Sequence, residues 1–232
     1  KPKGVVSTHK NIEAQITALT EAWHWNKEDH IPLFLPLHHI HGIINSLCCP
    51  LFVGAKTTML ESFNVDHICK EVSSKDFTVF TAVPTIYFSL IDKLETSNDK
   101  NIINGFRKMR LMMSGSAALA PEIHKKWKEI TGQELLERYG MTEVGMALSN
   151  ELNGERRPGS VGKTLPRVEV KLEDEQGNME QGILFLWCET CSDIVSSHTN
   201  RPPENKEFDK IKNHLGHRIN SLREGQNKRT IC

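Results

Sequence analysis

Short apolar runs that end at proline, serine or glycine, each followed by a segment with helical periodicity, most constrain the fold of this chain. The run 78–83 is rich in β-branched and aromatic residues and stops at Pro84, and apolar residues recur at helical spacing from 85 to 94. The same order recurs at 110–118, where apolar residues lead into Ser, Gly and Ala. Alternating strands and helices predict an α/β fold with a mostly parallel sheet covered by helices.

The remaining segments complete this prediction. A helix is expected from about Asn11, because Asn is a favourable N-cap and apolar residues recur along one face after it. The apolar stretch 43–59 predicts a buried helix, a turn and a strand. Apolar residues within 168–187 predict a small β element, and apolar periodicity then ends. We therefore expect a domain over residues 1–187, followed by a poorly ordered tail at 188–232.

The stretch 135–145, Leu-Leu-Glu-Arg-Tyr-Gly-Met-Thr-Glu-Val-Gly, carries the densest set of chemical groups. Its apolar start predicts a strand, and its two glycines predict a sharp turn or a close approach of backbone. Tyr139 can stack on a flat ring, Thr142 can hydrogen-bond an anionic oxygen, and Glu143 can hold a hard cation beside phosphate. From residue types alone, the stretch is either a nucleotide-phosphate site or an ordinary strand–turn–helix junction.

Two other groups of potential metal ligands are less specific. His38, His39 and His41 follow a predicted buried strand at 33–37, but no carboxylate adjoins them. Cys188 and Cys191 form a C-x-x-C pair without a second pair at zinc-binding spacing. Packing or substrate contact therefore explains the histidines better than a metal does, and zinc at the cysteines is not favoured.

Composition excludes several classes of partner. The 232 residues include 29 basic and 29 acidic side chains, so there is no general electrostatic attraction to nucleic acid or to an anionic membrane. No apolar run has the length of a membrane span. Six cysteines, two of them adjacent in an apolar stretch, indicate a reducing, intracellular compartment rather than a secreted disulfide framework. The chain begins with Lys1 rather than Met, which predicts a fragment or a processed product.

The sequence resembles the AMP-forming acyl-CoA synthetases of the adenylate-forming superfamily. The resemblance rests on a series of short motifs in the family's order: Lys1–Gly4, Leu35–His39, Val83–Thr85, Ser114–Leu119, Glu137–Glu143 and Pro158–Gly162. The Ser-Gly-Ser-Ala-Ala-Leu and Glu-Arg-Tyr-Gly-Met-Thr-Glu segments are most similar to those of malonyl-CoA synthetases. This implies an enzyme that activates a small carboxylic acid with ATP and Mg²⁺ and transfers it to CoA.

The resemblance also implies roles for individual residues. Thr142 and Glu143 would be catalytic, and Glu143 would hold the Mg²⁺. Substrate contacts would come from His39, Ser114, Gly115 and Arg138. Nucleotide contacts would come from Lys3, Gly4, Ser116, Ala117, Ala118, Glu137, Tyr139, Gly140, Met141 and Thr142.

Several of the family's parts have no counterpart in the chain. The first half of the phosphate loop is one, and the ribose-binding Asp and the C-terminal lid with its catalytic Lys are others. The resemblance therefore leaves three hypotheses: part of an acyl-CoA synthetase, a catalytically inactive nucleotide- or partner-binding module, or an adenylate-forming relative with another acceptor. By resemblance to malonyl-CoA synthetases, a mitochondrial location is also possible.

Arg138 is the residue that bears most directly on the acid. Relatives that take long or aromatic acids often have Gly before Tyr-Gly-x-Thr-Glu, whereas this chain has a guanidinium. Malonate keeps a second carboxylate after the first is activated, and an Arg can pair with it through two parallel hydrogen bonds. The alternative is that Arg138 forms an ion pair with Glu134 or Glu137.

Overall fold

Strands and helices alternate through most of the chain. The structure is a computed structural model, and it describes residues 4–173, 183–188 and 193–198. The helices are α1 (His9–Ala22), a π-helical segment (His41–Cys48) that continues into α2 (Cys49–Val53), α3 (Val65–Ser74), α4 (Pro84–Ser97), α5 (Lys100–Arg107) and α6 (Pro121–Thr131). The strands are β1 (His30–Leu33), β2 (Lys56–Met59), β3 (Val79–Ala82), β4 (Leu111–Ser114), β5 (Leu136–Met141), β6 (Gly145–Ser149), β7 (Lys163–Thr164), β8 (Val168–Glu173), β9 (Ile183–Cys188) and β10 (Asp193–His198).

The central sheet has the order β3-β4-β5-β6-β7. Strands β3, β4 and β5 run parallel, whereas β6 and β7 are antiparallel additions. Strands β1 and β2 form a second parallel pair. The Thr78 N–H donates to the carbonyl of His30 at 2.9 Å, so β1 lies alongside the start of β3. The predicted α/β fold is confirmed, with a mixed central sheet whose parallel strands are β3, β4 and β5.

Helices begin and end at proline, glycine and capping residues. Helices α4 and α6 begin with proline in their first turn, where the missing N–H costs nothing. Helix α6 ends at Gly132, which has a φ of 76°. The predicted helix is present from His9, but the predicted N-cap is wrong, because Thr8 is the N-cap and its hydroxyl accepts from the N–H of Asn11. Asn11 instead accepts from the Thr8 N–H at 2.9 Å, which completes a capping box.

The sheet separates two apolar clusters, because successive side chains of a strand point to opposite faces. On one face, Met112 packs with aromatic residues of the helices, and the Tyr87 and Trp127 rings meet edge to face with their centroids 5.0 Å apart. On the other face, Leu111 and Met113 pack with α1 and the π-helical segment. Helices cover both faces, as the near-continuous apolar runs of β3 and β4 require.

The later strands bear on two predictions. The stretch 135–145 contains the predicted strand and sharp turn, but a second strand follows, so the alternative of a strand–turn–helix junction is wrong. Strands β8, β9 and β10 form an antiparallel sheet, so residues 193–198, which were predicted to belong to a poorly ordered tail, include a strand. Residues 199–232 lie outside the described part. Strand β1 also begins and ends earlier than the predicted strand at 33–37.

No helix within the described ranges is long and apolar enough to cross a membrane.

A buried ion pair joins the segments that precede three strands. The Asp29 carboxylate, 2% exposed, accepts from Arg110 Nε at 2.7 Å and from the Thr78 hydroxyl at 2.7 Å. Arg110 also donates to the Trp23 carbonyl at 2.9 Å. Although burial alone would raise it, the hydrogen bonds from Arg110 and Thr78 lower the pKa of Asp29. This network therefore fixes how β1, β3 and β4 begin relative to α1.

Replacing this carboxylate should destabilise the fold. We expect Asp29→Asn to lower the free energy of unfolding by about 2–4 kcal/mol, because it leaves the Arg110 charge unpaired beside the core. Urea unfolding of the variant and of the unmodified chain measures the difference. The matched control is Glu95→Gln, because Glu95 pairs with Lys126 on the surface with both side chains about half exposed. That control should change stability by less than about 1 kcal/mol, and equal losses in the two variants would contradict the assignment.

Candidate active site

The predicted site residues gather where three parallel strands end. Strands β3, β4 and β5 finish at Ala82, Ser114 and Met141, and parallel strands place their carboxyl ends on the same edge of a sheet. In-register pairing of Ser114 with Glu137 brings the Ser-Gly-Ser segment next to the Glu-Arg-Tyr segment. Ligands of open α/β sheets bind beyond this edge.

The hairpin between β5 and β6 presents Thr142 and Glu143 at this edge. The turn is closed by the Val144 N–H, which donates to the Met141 carbonyl at 3.2 Å. Thr142 is exposed and Glu143 is partly buried. A Cβ at Gly140 would lie 2.4 Å from the Gly145 carbonyl oxygen, so only glycine lets the two strands approach this closely.

Tyr139 and Glu143 lie close to each other. Tyr139 is 8% exposed, and its hydroxyl donates to the sulfur of Met141 at 3.4 Å. Burial, with a smaller contribution from the Glu143 charge, raises the pKa of Tyr139. Tyr139 is therefore a neutral aromatic wall beside an acidic turn.

Glu143 fits a Mg²⁺ site that shares its ligands with phosphate. Mg²⁺ commonly takes one or two carboxylates and completes its coordination with water and substrate phosphate. Among residues 4–170, no three His, Cys, Asp or Glu side chains come together as a metal site of their own. An ion held here by Glu143 would thus need oxygens from a bound nucleotide, and the adjacent Thr142 hydroxyl is placed to contact the same phosphate.

Small residues border the same edge. Ser116, Ala117 and Ala118 are exposed, which leaves backbone accessible to a flat base, as their predicted contact with the nucleotide requires. Gly4 is exposed and precedes the start of α1. The predicted role of Lys3 falls outside the described residues.

Arg138 is the most unusual residue of the site. Its side chain is 2% exposed, and a Cβ at Gly115 would lie 2.5 Å from its Cζ, so the guanidinium packs directly on that glycine. Its Nε and Nη2 have no hydrogen-bond partner among the described residues. Burial lowers the pKa of Arg138 to about 10, so the group remains charged at neutral pH. A buried cation without a partner is costly, and an anionic ligand would relieve that cost.

The two carboxylates that might have paired with Arg138 have other partners. Glu134 accepts from Lys128 at 2.5 Å on the surface. Glu137 is fully buried, accepts from the Gly159 N–H at 2.8 Å, and lies on the opposite face of β5 because strand residues alternate. Within the described ranges, no ion pair of Arg138 is present.

Ser114 and Glu137 lie beneath the edge rather than on it. Ser114 is 1% exposed, and Glu137 is its neighbour across the β4–β5 pair. The Asn150 side chain donates to the carbonyls of Glu137 and Ser160 at 3.0 and 2.7 Å. Together with the Glu137–Gly159 hydrogen bond, these contacts hold the segment 158–162 against β5. A direct contact of Ser114 or Glu137 with a ligand stays a prediction.

Sequence reasoning selected His39, but the structure also places His41 in the site. His39 is exposed, and its ring lies 4.3 Å from that of His38 between centroids. His41 is 4% exposed, with Nδ1 at 3.1 Å from the Ser116 hydroxyl and Nε2 at 2.6 Å from the Thr81 hydroxyl.

The charge state of His41 follows from its surroundings. Burial, and then the Arg138 charge, hold the pKa of His41 well below its usual range, so the imidazole is neutral. A sequence signal for its burial is the following Gly42, where a Cβ would lie 2.2 Å from the Pro36 carbonyl oxygen. That close contact seats the start of the π-helical segment against the loop after β1.

The fold is that of an α/β domain with the predicted site residues gathered at the carboxyl edge of its parallel strands, and the family comparison agrees with this architecture. The profile of the AMP-binding enzyme family matches residues 1–185, and the chain belongs to this family.

Within this family, the chain is similar to malonate–CoA ligases. The chain is 50% identical over 198 residues to the mitochondrial malonate–CoA ligase ACSF3 of Bos taurus, covering 82% of this chain and 34% of that protein. It is 42% identical over 221 residues to the malonate–CoA ligase of Arabidopsis thaliana, covering 89% and 36%. The chain thus spans about a third of the length of these relatives.

A comparison with solved structures also finds similarity to a malonyl-CoA ligase. A malonyl-CoA ligase in a ternary product complex with methylmalonyl-CoA and AMP superposes with a TM-score of 0.73 at 32% identity. The match covers 87% of this chain and 43% of that one.

The neutral state of His41 predicts a specific pH dependence. The unfolded chain takes up a proton on this histidine below about pH 6.5, whereas the folded chain does not. The free energy of unfolding should therefore decrease as the pH is lowered below this value, by up to about 1.4 kcal/mol per pH unit. His41→Gln should make this slope shallower between pH 7 and pH 5 in urea unfolding. His38→Gln, at an exposed site nearby, should leave the slope unchanged. Identical slopes in all three proteins would contradict the assignment.

Proposed function

We propose that this chain forms the acid- and nucleotide-binding part of an AMP-forming ligase that joins malonate to CoA. The observation that carries the proposal is the fully buried Arg138 guanidinium, which has no anionic partner in the described part of the chain. The names of the relatives at 50% and 42% identity support the choice of acid.

Two half-reactions make up this activity. An oxygen of one malonate carboxylate attacks the α-phosphorus of ATP, the bond to pyrophosphate breaks, and an acyl-adenylate forms. The CoA thiol then gives up its proton, its sulfur attacks the acyl carbon, and AMP leaves with the electrons of the broken carbon–oxygen bond. Such chemistry depends mostly on positioning and on stabilising charge on phosphate oxygens.

Residues of the carboxyl edge divide these tasks. Thr142 would hydrogen-bond phosphate, and Glu143 would hold Mg²⁺, which neutralises phosphate charge when bound. Tyr139 would flank the adenine, with Ser116, Ala117 and Ala118 close to the base and Gly4 and Lys3 toward the outer phosphates. His39, which is exposed, would border the path of the acid and the thiol.

Malonate fits the position of Arg138 because one of its carboxylates remains charged throughout. The guanidinium can pair with that carboxylate through two parallel hydrogen bonds, using donors that have no other partner in the described ranges. The neutral His41 adds no second positive charge next to the guanidinium, so the one charge of Arg138 would meet the one remaining negative charge of malonate. Monocarboxylic acids would leave this cation buried and unpaired.

Location and partners follow from the same proposal. ATP, CoA and malonate are the partners, and the mitochondrial relatives from Bos taurus, Mus musculus and Homo sapiens support a mitochondrial protein. Expression of the full-length protein with a fluorescent tag, followed by co-localisation with a mitochondrial marker, tests the location.

Substituting Arg138 should remove malonate use selectively. In the full-length protein, we expect Arg138→Met to lower kcat/KM for malonate by about 30- to 1000-fold more than for acetate or butyrate, because about 2–4 kcal/mol of charge pairing is lost. Pyrophosphate release with each acid measures this. Arg138→Lys keeps the charge but not the planar fork, so its kcat/KM for malonate should lie between those of the unmodified protein and Arg138→Met.

Stability distinguishes this role from a structural one. Removing an unpaired buried charge while keeping a long apolar side chain should leave the free energy of unfolding unchanged or higher. Equal activity losses on all three acids, together with a loss of stability, would show that Arg138 is structural and would remove the dicarboxylate assignment.

A further inference from the structure

A side chain of α1 holds the hairpin that carries Thr142 and Glu143. The Gln15 Nε2 donates to the Met146 carbonyl at 3.2 Å, and the Met146 N–H donates to Gln15 Oε1 at 2.5 Å. One carboxamide therefore pairs with both polar groups of one backbone residue, as a neighbouring strand would. The two residues are separated by 131 positions in the sequence.

Irregularity in the sheet explains why this partner is needed. The β5–β6 register shifts between Tyr139 and Gly140, and β7 pairs only with Leu148 and Ser149 of β6. Met146 is 1% exposed and lies past the last of these β7 pairs. Buried backbone N–H and C=O groups without partners are costly, and Gln15 supplies both partners here.

Gly145 makes room for the carboxamide. Its φ of 69° suits glycine, and a Cβ there would lie 2.3 Å from Gln15 Oε1 and 2.4 Å from Gln15 Cδ. The final glycine of the Tyr-Gly-Met-Thr-Glu-Val-Gly segment is thus required by a contact with α1 as well as by the turn.

The contact joins two segments that face phosphate in the proposed reaction. Within the turn 142–144, the Val144 N–H donates to the Met141 carbonyl, and the position of this short turn follows from how the ends of the hairpin are held. Helix α1 begins at His9, directly after the segment 4–8, which is exposed except for the partly buried Val5. Gln15, less than two turns into α1, fixes the distance between that segment and the end of the hairpin.

We propose that Gln15 is a positioning residue that holds the Thr142–Glu143 turn in place for the ATP phosphates and Mg²⁺. It touches neither ligand and acts through the Met146 backbone. The inference rests on the proposed function, because it concerns how the same site binds its nucleotide.

The test compares Gln15→Leu with a matched glutamine elsewhere in the full-length protein. Gln133 Nε2 donates to the carbonyls of Arg107 and Met109 at 2.6 and 2.8 Å, so it also bonds backbone through its carboxamide, but on the side of the sheet away from the carboxyl edge. Gln133→Leu therefore measures the loss of stability that follows from removing such bonds alone.

We expect Gln15→Leu to slow malonate-dependent ATP–pyrophosphate exchange by about 10- to 100-fold in kcat, the effect of misplacing a positioned group by roughly 1 Å. The Mg²⁺ concentration for half-maximal rate should rise, whereas the KM for malonate should change less than about threefold, since Arg138 is untouched. Gln133→Leu should keep kcat within about twofold. Gln15→Glu, which keeps the acceptor for the Met146 N–H, is a milder variant should the leucine protein not fold.

Calorimetric titration of Mg²⁺·ATP provides a readout that needs no turnover. Weaker binding in Gln15→Leu or Gln15→Glu than in Gln133→Leu supports the inference. Equal binding and equal kcat in the variants, with similar losses of stability, would overturn it. If the unmodified protein exchanges no pyrophosphate with malonate, the proposed function fails on that result, and the titration still decides the role of Gln15 in holding nucleotide.

Discussion

The pairing register between β4 and β5 determines which side chains lie together at the carboxyl edge. Ser114 pairs with Glu137 in a parallel ladder, so the residues that follow, Gly115 and Arg138, lie side by side as the strands end. Because side chains alternate with a period of two, a slip by one residue would exchange the faces of Glu137 and Arg138. The guanidinium would then enter the aromatic cluster around Trp127, and the carboxyl edge would lose the one buried Arg or Lys among the described site residues.

Energetic costs concentrate at this edge. The Arg138 charge is buried without a counter-ion in the described ranges. Ser116, whose hydroxyl contacts His41, has a φ of 68°. A non-glycine residue in that conformation costs about 1 kcal/mol or more. The surrounding structure holds both features, since β3 and β4 are buried throughout and their starts are fixed by the Asp29–Arg110 pair. Features that are costly without a ligand and favourable with one are typical of binding sites.

Local sequence signals predicted the parts of the fold that depend on one segment at a time. Pro84 correctly marked the boundary between β3 and α4, because the backbone preference of proline acts irrespective of tertiary contacts. The motif at 137–143 predicted a turn at the end of a strand for the same reason. Residues 193–198 were missed, since pairing with β9 rather than apolar periodicity makes them a strand.

The parts of the site that escaped prediction are those that depend on distant residues. His41 could not be separated from His38 and His39 by spacing, because its burial depends on Thr81 and Ser116. The bonds of Gln15 were equally invisible, since the helix pattern marks only the apolar face of α1.

The glycines of the site show why such contacts matter to any interpretation of the motif. The absence of a side chain leaves room for the Arg138 guanidinium at Gly115, for the neighbouring strand at Gly140 and for the Gln15 carboxamide at Gly145. Each is a relation between two positions rather than a property of one turn. A motif match therefore indicates the backbone path at 137–145, but how that path is held also depends on α1, where Gln15 bonds the Met146 backbone. In a chain without that side chain, Gly145 would be required by its φ alone, and the position of the Thr142–Glu143 turn would have to be fixed by another residue.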